Sequence, residues 1–464
     1  MKFNLKFIVL LFVTIVFFIS CDDYSDLSPV VKDNISGSAN FARYVAIGNS
    51  LTAGYQSSSL YESSQEYSYP SMIAHQVGLT TFEQPLISDP GIGGLIKIAS
   101  FEPFVTKQEP VEAGTPINLS YPAPYNNLGI PGIVLADVMN STTSAGSYSK
   151  SAFIDIILRG QGTQFAQATA LNPTFITLWI GNNDVLGYAT SGGAKPTAPT
   201  PSATFGGLFS QLADGLAATG AKVVVANIPS VTAIPFFTTV GPEFGQQLKA
   251  LSVPAFYYQS GSYVPTIGTP DQLINKSLLL TLISQTYLND FGKPSGKFYR
   301  DNGIPPSAVG ADTTQPFGSQ GNPIPNALIL DNNEIQIAAN STNDFNSFIS
   351  DAVNKYPAQF ALVNMNSFFN TIAANGANYS GINFSTTFVT GGLFSLDGVH
   401  PTSQGYAIVA NEFLKVINSK FGANIPLIDV GSIPGSLQLA KRSSNKVVLP
   451  DYDYNMLKNL CFKF

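Results

Sequence analysis

Apolar residues recur along this chain in two patterns. The first is a short continuous run closed by a glycine or polar residue. Tyr44-Val45-Ala46-Ile47 ends at Gly48, Phe175 to Ile180 ends at Gly181, Lys222 to Ile228 is built on Val223-Val224-Val225, and Phe360 to Val363 repeats the form. Runs this continuous predict strands covered on both faces, because a strand with one wet face would alternate. The second pattern has helical period. Tyr69 to Val77 has Pro70 near its start and Gly78 after it. Phe205 to Ala218 stops at Gly220, Asp344 to Tyr356 is helix-like, and Ser403 to Phe421 is amphipathic with Gly422 as its stop. Buried strands separated by helices predict an α/β fold with a mostly parallel central sheet.

Two stretches break the rhythm. Residues 88–125 are rich in Pro and Gly, and residues 234–340 mix Pro and Gly with aromatics such as Phe236, Phe237, Phe256, Tyr257 and Tyr258. Both read as insertions between core elements, the second as either a separate small domain or a cap that shapes a binding site. The aromatic clusters suit a core before they suit an acyl-chain pocket. An apolar segment from Lys276 to Leu288 is expected to add a helix there. After Ile425 a Pro-, Gly- and Lys-containing tail, residues 425–464, takes no assigned element.

The N-terminus changes the expected compartment. Lys2 and Lys6 precede an apolar run from Phe7 to Ile19, about thirteen residues, short of the roughly 20 that span a bilayer. This is the form of a secretory signal over residues 1–20. Ser20-Cys21 at its end resembles a bacterial lipoprotein signal, which implies lipidation of Cys21 and a membrane anchor. An ordinary signal peptide followed by a cysteine is the alternative. Residues 21–40, with Asp22, Asp23 and Asp26, read as a flexible tether, and an acidic stretch there resembles surface-export signals of some Bacteroidetes lipoproteins. The expected location is extracytoplasmic, on the periplasmic or surface face of an outer membrane. The other cysteine is Cys461, so a lipidated Cys21 leaves no intramolecular disulfide. Charged residues are 11% of the 464, and the net charge of −6 comes without a basic cluster, which argues against a nucleic-acid partner.

Two histidines in the whole chain make the search for a proton-transfer group short, and leave no material for a His-rich metal site. His75 lies in Met72-Ile73-Ala74-His75-Gln76-Val77 and reads as a structural or exposed helical residue. His400 lies in Asp397-Gly398-Val399-His400-Pro401, where a turn into a helix can bring a carboxylate against the ring and set its tautomer. Three upstream segments have comparable positions. Ser50, in Ile47-Gly48-Asn49-Ser50-Leu51, follows a strand where parallel sheets bind their ligands, although a lone serine there is ordinarily a helix N-cap. Asn126-Asn127-Leu128-Gly129-Ile130-Pro131-Gly132 is a two-glycine loop, able to bring a backbone amide close to a ligand or simply to turn. Trp179-Ile180-Gly181-Asn182-Asn183-Asp184 again follows a strand and offers a neutral carboxamide donor.

Taken in order, these four segments resemble the sequence blocks of the SGNH or GDSL hydrolase superfamily, over roughly residues 44 to 421. The resemblance implies a three-layer α/β/α sandwich of flavodoxin-like form over residues 41–424. It implies Ser50 as nucleophile, His400 and Asp397 as its triad partners, and an oxyanion hole from Ser50, Gly132 and Asn183, with no cofactor and no metal. Gly132 rather than Gly129 takes the glycine role when Asn127 is matched to the asparagine before the family's loop. Asn49 departs from the pattern, since it stands where the family has Asp. The implied activity is ester hydrolysis of lipase or carboxylesterase type on a small-molecule, lipid or acylated-carbohydrate ester. A carbohydrate O-deacetylase of the same superfamily and a non-catalytic surface binding lipoprotein are the alternatives.

Overall fold

The structure is a computed structural model and describes residues 35–435 apart from 102–103, 196 and 262. The apolar leader, Cys21, residues 21–34 of the tether, Cys461 and residues 436–464 of the tail lie outside the described residues.

Four strands form one wholly parallel sheet: β1 (Tyr44–Gly48), β2 (Phe175–Trp179), β3 (Lys222–Ala226) and β4 (Phe360–Val363), in that spatial order. Register runs Tyr44 against Phe175, Ile176 against Val223, and Val223 against Phe360. Residues 126–130 extend the sheet beyond β1, with Ala46 N–H donating to Asn126 O (2.8 Å) and Leu128 N–H to Ala46 O (2.9 Å).

The helices that flank this sheet or border its loops are α1 (Ser50–Ala53), α2 (Tyr69–Gln76), α3 (Asn182–Thr190), α4 (Ser202–Ala218), α5 (Pro235–Thr238), α6 (Asn332–Lys355), α7 (Met365–Asn375) and α8 (Ser403–Phe421). Alternate strand residues feed two separate cores, as the two-residue period of a strand requires. Val45, Ile47, Ile176, Leu178, Val223 and Val225 join Phe205, Phe209 and Leu212 of α4 and Phe345 and Ile349 of α6. Tyr44, Ala46, Phe175, Trp179, Val224 and Ala226 join Tyr69 and Ile73 of α2 and Tyr406 to Phe413 of α8. An α/β fold with a parallel sheet among helices results from this arrangement. The continuity of the runs has its cause here, since every apolar strand residue finds an apolar partner on one side or the other.

Elsewhere the structure corrects the sequence reading. The helix expected from Asp344 begins at Asn332. Its first turns bury Ala338 and Thr342 among many Asn, Ser and Thr, so the apolar stripe is thin, yet Asp331 and Glu334 close a capping box at its start. Lys276 to Leu288 is not one helix. Leu279–Leu280 pairs antiparallel with Ile329–Leu330, and only Leu282–Ser284 and Gln285–Leu288 turn helically, because pairing with a distant strand outbids local helix formation. The long insertion splits its aromatics. Phe236 and Phe237 enter the sheet's core, while Phe256 and Tyr258 belong to a core of the insertion's own, with Phe244 and Leu273. Within residues 88–125 an antiparallel hairpin pairs Ile96–Phe101 with Phe104–Gln108. Among the described residues no helix is long and apolar enough to cross a membrane.

Candidate active site

Parallel strands deliver their following loops to one edge of the sheet, and the turn before α8 brings Asp397 and His400 to the same place, where the four segments singled out in the sequence meet. Ser50 is the first residue of α1, directly after β1. Asn49 caps that helix by accepting from Leu51 N–H (3.0 Å). The Ser50 hydroxyl lies 2.9 Å from His400 Nε2, and His400 Nδ1 lies 2.9 Å from Asp397 Oδ2. Ser50 and Asp397 are 7% and 8% exposed and the His400 side chain 14%, so the hydrogen-bonded line is largely shielded, with solvent reaching the imidazole most.

Asp397 accepts five hydrogen bonds: from Ser58 N–H (2.8 Å), Val399 N–H (2.8 Å), His400 N–H (2.8 Å), Ser395 Oγ (3.2 Å) and the imidazole. Burial pushes its carboxyl up, but the adjacent His400 and these donors outweigh burial and hold it below the usual carboxylate value. Two features make that donor set possible. Gly398 has φ +68°, and a Cβ there would stand 2.9 Å from Phe236 N, whose N–H donates to Gly398 O (3.0 Å). The insertion's first helix, α5, thus clamps the Asp397–His400 turn. On the other side, Ser57 and Ser58 both take positive φ (50° and 63°), which aims two successive N–H groups at Ser395 Oγ and Asp397 Oδ2.

Gly129 and Gly132 are not equivalent. Gly129 spends its N–H on Asn127 Oδ1 (2.9 Å), and a Cβ there would come within 2.4 Å of Ala53 N. Its role is to let the loop pack on α1. Gly132 has φ +84° and lies exposed, and among the described residues its N–H donates to no protein group. Ser50 N–H is likewise unspent. Asn183 gives one carboxamide hydrogen to Ile133 O (2.8 Å), the residue after Gly132, and keeps its second. Asp184 ties the same two segments together, accepting from Leu135 N–H (2.9 Å) and Thr200 Oγ1 (2.7 Å).

Asn49 has a local explanation. Its carboxamide donates to Asn182 Oδ1 (3.2 Å) while its oxygen caps α1, and an aspartate could do only the second. Several residues of this site were not singled out from the sequence: Ser57, Ser58, Ser395, Tyr55, Asn182 and Gln164. Tyr55 places its ring 4.9 Å from the His400 ring. Gln164, fully buried, donates to Gly48 O (2.8 Å) and Leu128 O (2.5 Å), joining the β1 exit to the neighbouring segment. Asn182 lies beside Asn183 within a segment already noted; ordinary Ser, Tyr and Gln mark the others, so they gave no signal in sequence. His75 sits on the exposed face of the last turn of α2, apart from this constellation. Among the described residues no three His, Cys, Asp or Glu side chains gather as a metal-binding group.

A largely apolar cavity of about 60 Å³ opens beside Ser50 and His400, walled by Leu51, Val231, Ile234, Phe369 and Phe394. The arrangement can deprotonate a hydroxyl, stabilise the imidazolium so formed, and present unspent N–H donors to an anion nearby. No protein-family model matches the chain, and no curated protein matches its sequence.

Proposed function

We propose that the protein is a serine ester hydrolase of the SGNH type, working through an acyl-enzyme. The observation that carries the reading is the unbroken line Asp397–His400–Ser50, with 2.9 Å at both imidazole nitrogens. In this reading the fold is the three-layer α/β/α sandwich of that superfamily, and residues 1–21 supply a lipoprotein signal and a Cys21 anchor to an outer membrane.

Ser50 Oγ attacks the ester carbonyl carbon as its proton passes to His400 Nε2. The negative charge that forms on the carbonyl oxygen is met by the N–H groups of Ser50 and Gly132 and by the free hydrogen of Asn183. Ionised Asp397 accepts from Nδ1 and stabilises the imidazolium. Collapse breaks the bond to the alkoxy oxygen, which takes the proton from Nε2 and leaves as the alcohol. Water then repeats the sequence on the acyl-serine and releases the acid. No step calls for a metal or cofactor. The test is hydrolysis of 4-nitrophenyl acetate and butyrate by the folded protein and by Ser50→Ala. Loss of turnover to background in the variant is expected, with labelling of Ser50 in the native chain by a fluorophosphonate. Unchanged turnover in Ser50→Ala would sink the assignment.

A further inference from the structure

A second, larger hollow of about 370 Å³ lies against the small cavity beside Ser50: Thr386 lines both, and neighbouring residues of the same three segments line each. Ile234, the N-cap of α5, gives way to Thr238 at its end, Phe369 to Ala373 along α7, and Thr386 borders the two. Each helical step is one turn, an advance of about 5.4 Å. The hollow therefore adjoins the site at Thr386, with the hairpin residue Phe104 and Phe388 among its walls.

The two compartments differ in chemistry. Leu51, Val231, Phe369 and Phe394 make the first apolar, and its volume suits a small acyl group. The second sets Glu243, Lys276 and Gln285 around two phenyl rings whose centroids are 6.4 Å apart at 84°. Among the described residues none of those three polar side chains hydrogen-bonds to protein. Thr238 Oγ1 donates to Ile234 O (3.2 Å) and keeps its lone pairs for another donor. Burial pushes the Glu243 carboxyl above its ordinary value. An alkyl chain laid here would desolvate a carboxyl, an ammonium and a carboxamide with nothing in exchange. A polyhydroxylated ligand would pair with all three and place its C–H faces on the rings. The rim is also fixed in shape. Val389, next to Phe388, holds φ +63°, a strained setting for a β-branched residue, and Ser385 N–H to Gly391 O (2.8 Å) with Gly391 N–H to Thr387 O (2.9 Å) closes the loop that imposes it.

We infer that this hollow is the subsite for the alcohol half of the ester, that this alcohol is a sugar, and that the small apolar cavity takes a short acyl group such as acetyl. The inference rests on the ester-hydrolase reading and narrows it. The test compares kcat/KM of the full chain and of Phe388→Ala, Phe104→Ala and Glu243→Gln on monoacetylated cellobiose, whose other hydroxyls are free, 4-nitrophenyl acetate and 4-nitrophenyl octanoate. The ratio of the first substrate to the second is expected to fall at least tenfold in Phe388→Ala and several-fold in Glu243→Gln, chiefly through KM. Equal losses on both acetates would overturn the subsite. A native preference for octanoate that Phe388→Ala removes would assign the hollow to an acyl chain instead. Fluorophosphonate labelling of Ser50 without turnover of monoacetylated cellobiose overturns the sugar substrate and leaves the hydrolase reading standing. Absence of both labelling and turnover overturns the two together.

Discussion

Asp397, in a turn, and Asp184, in the first turn of α3, are both buried aspartates at the same edge of the sheet, yet their surroundings treat charge in opposite ways. Asp397 is met by five donors, one of them an imidazole, and is held below its ordinary value. Asp184 is just as hidden, but burial dominates and pushes it up to about 7, with the Leu135 amide and Thr200 hydroxyl pulling down less and Asp137 adding to the rise. Depth does not decide the charge of a carboxyl; the donors aimed at it do. One residue is built to stay ionised beside the His400 imidazole. The other is built to join the Gly132 loop to α3 while tolerating a proton.

The largest effect should come from making Asp397 neutral. Asp397→Asn is expected to lower kcat for 4-nitrophenyl acetate by about 10⁴, since an amide can favour the wrong imidazole tautomer and cannot offset its charge. A loss under tenfold would show that the two aspartates differ less than their donors suggest. The second experiment reads stability against pH. The folded-state value of Asp397 is depressed, so its contribution is present above the unfolded value of about 3.9 and is lost as pH falls through the folded one. Asp184 has the opposite sign. Folded, it holds its proton up to about pH 7, so stability falls as pH rises from about 4 towards 7, by about 1.4 kcal/mol per pH unit at most. Asp184→Asn should remove that decline, measured as urea midpoints of variant and native protein from pH 4 to 8. Parallel curves would put Asp184 in the same class as Asp397. The smallest change is expected from Asn49→Asp. It keeps the cap on Leu51 N–H and loses the hydrogen bond to Asn182, costing about 1 kcal/mol in unfolding free energy and less than tenfold in kcat.

What was readable in the sequence owes its legibility to locality. Strand β4 is found at the residues its apolar run marks, and α8 from Ser403 to Phe421, because an unbroken run or a Gly stop is written in adjacent positions. The site segments were findable for a related reason. Ser50 and Asn183 lie just beyond strands, positions that a parallel sheet puts at one edge, while Asp397 and His400 sit in a turn leading into α8. Where contacts were distant, the reading failed. Leu279–Leu280 pairs with residues about fifty positions away, and the start of α6 was hidden in polar residues whose few buried members show only against the sheet.

The sequence by itself determined the alternation of buried strands and helices, the scarcity of histidine and the four polar segments, since these depend on residue type and spacing alone. Tertiary structure decided which groups those segments meet. Only the fold brings Ser58 to Asp397 across 339 positions and His400 to Ser50 across 350, leaves Gly132 N–H unspent while Gly129 N–H is used, and opens a polar hollow beyond an apolar cavity. Hydrogen-bond satisfaction and burial depend on three-dimensional neighbours, and at those separations the order of residues along the chain does not specify them.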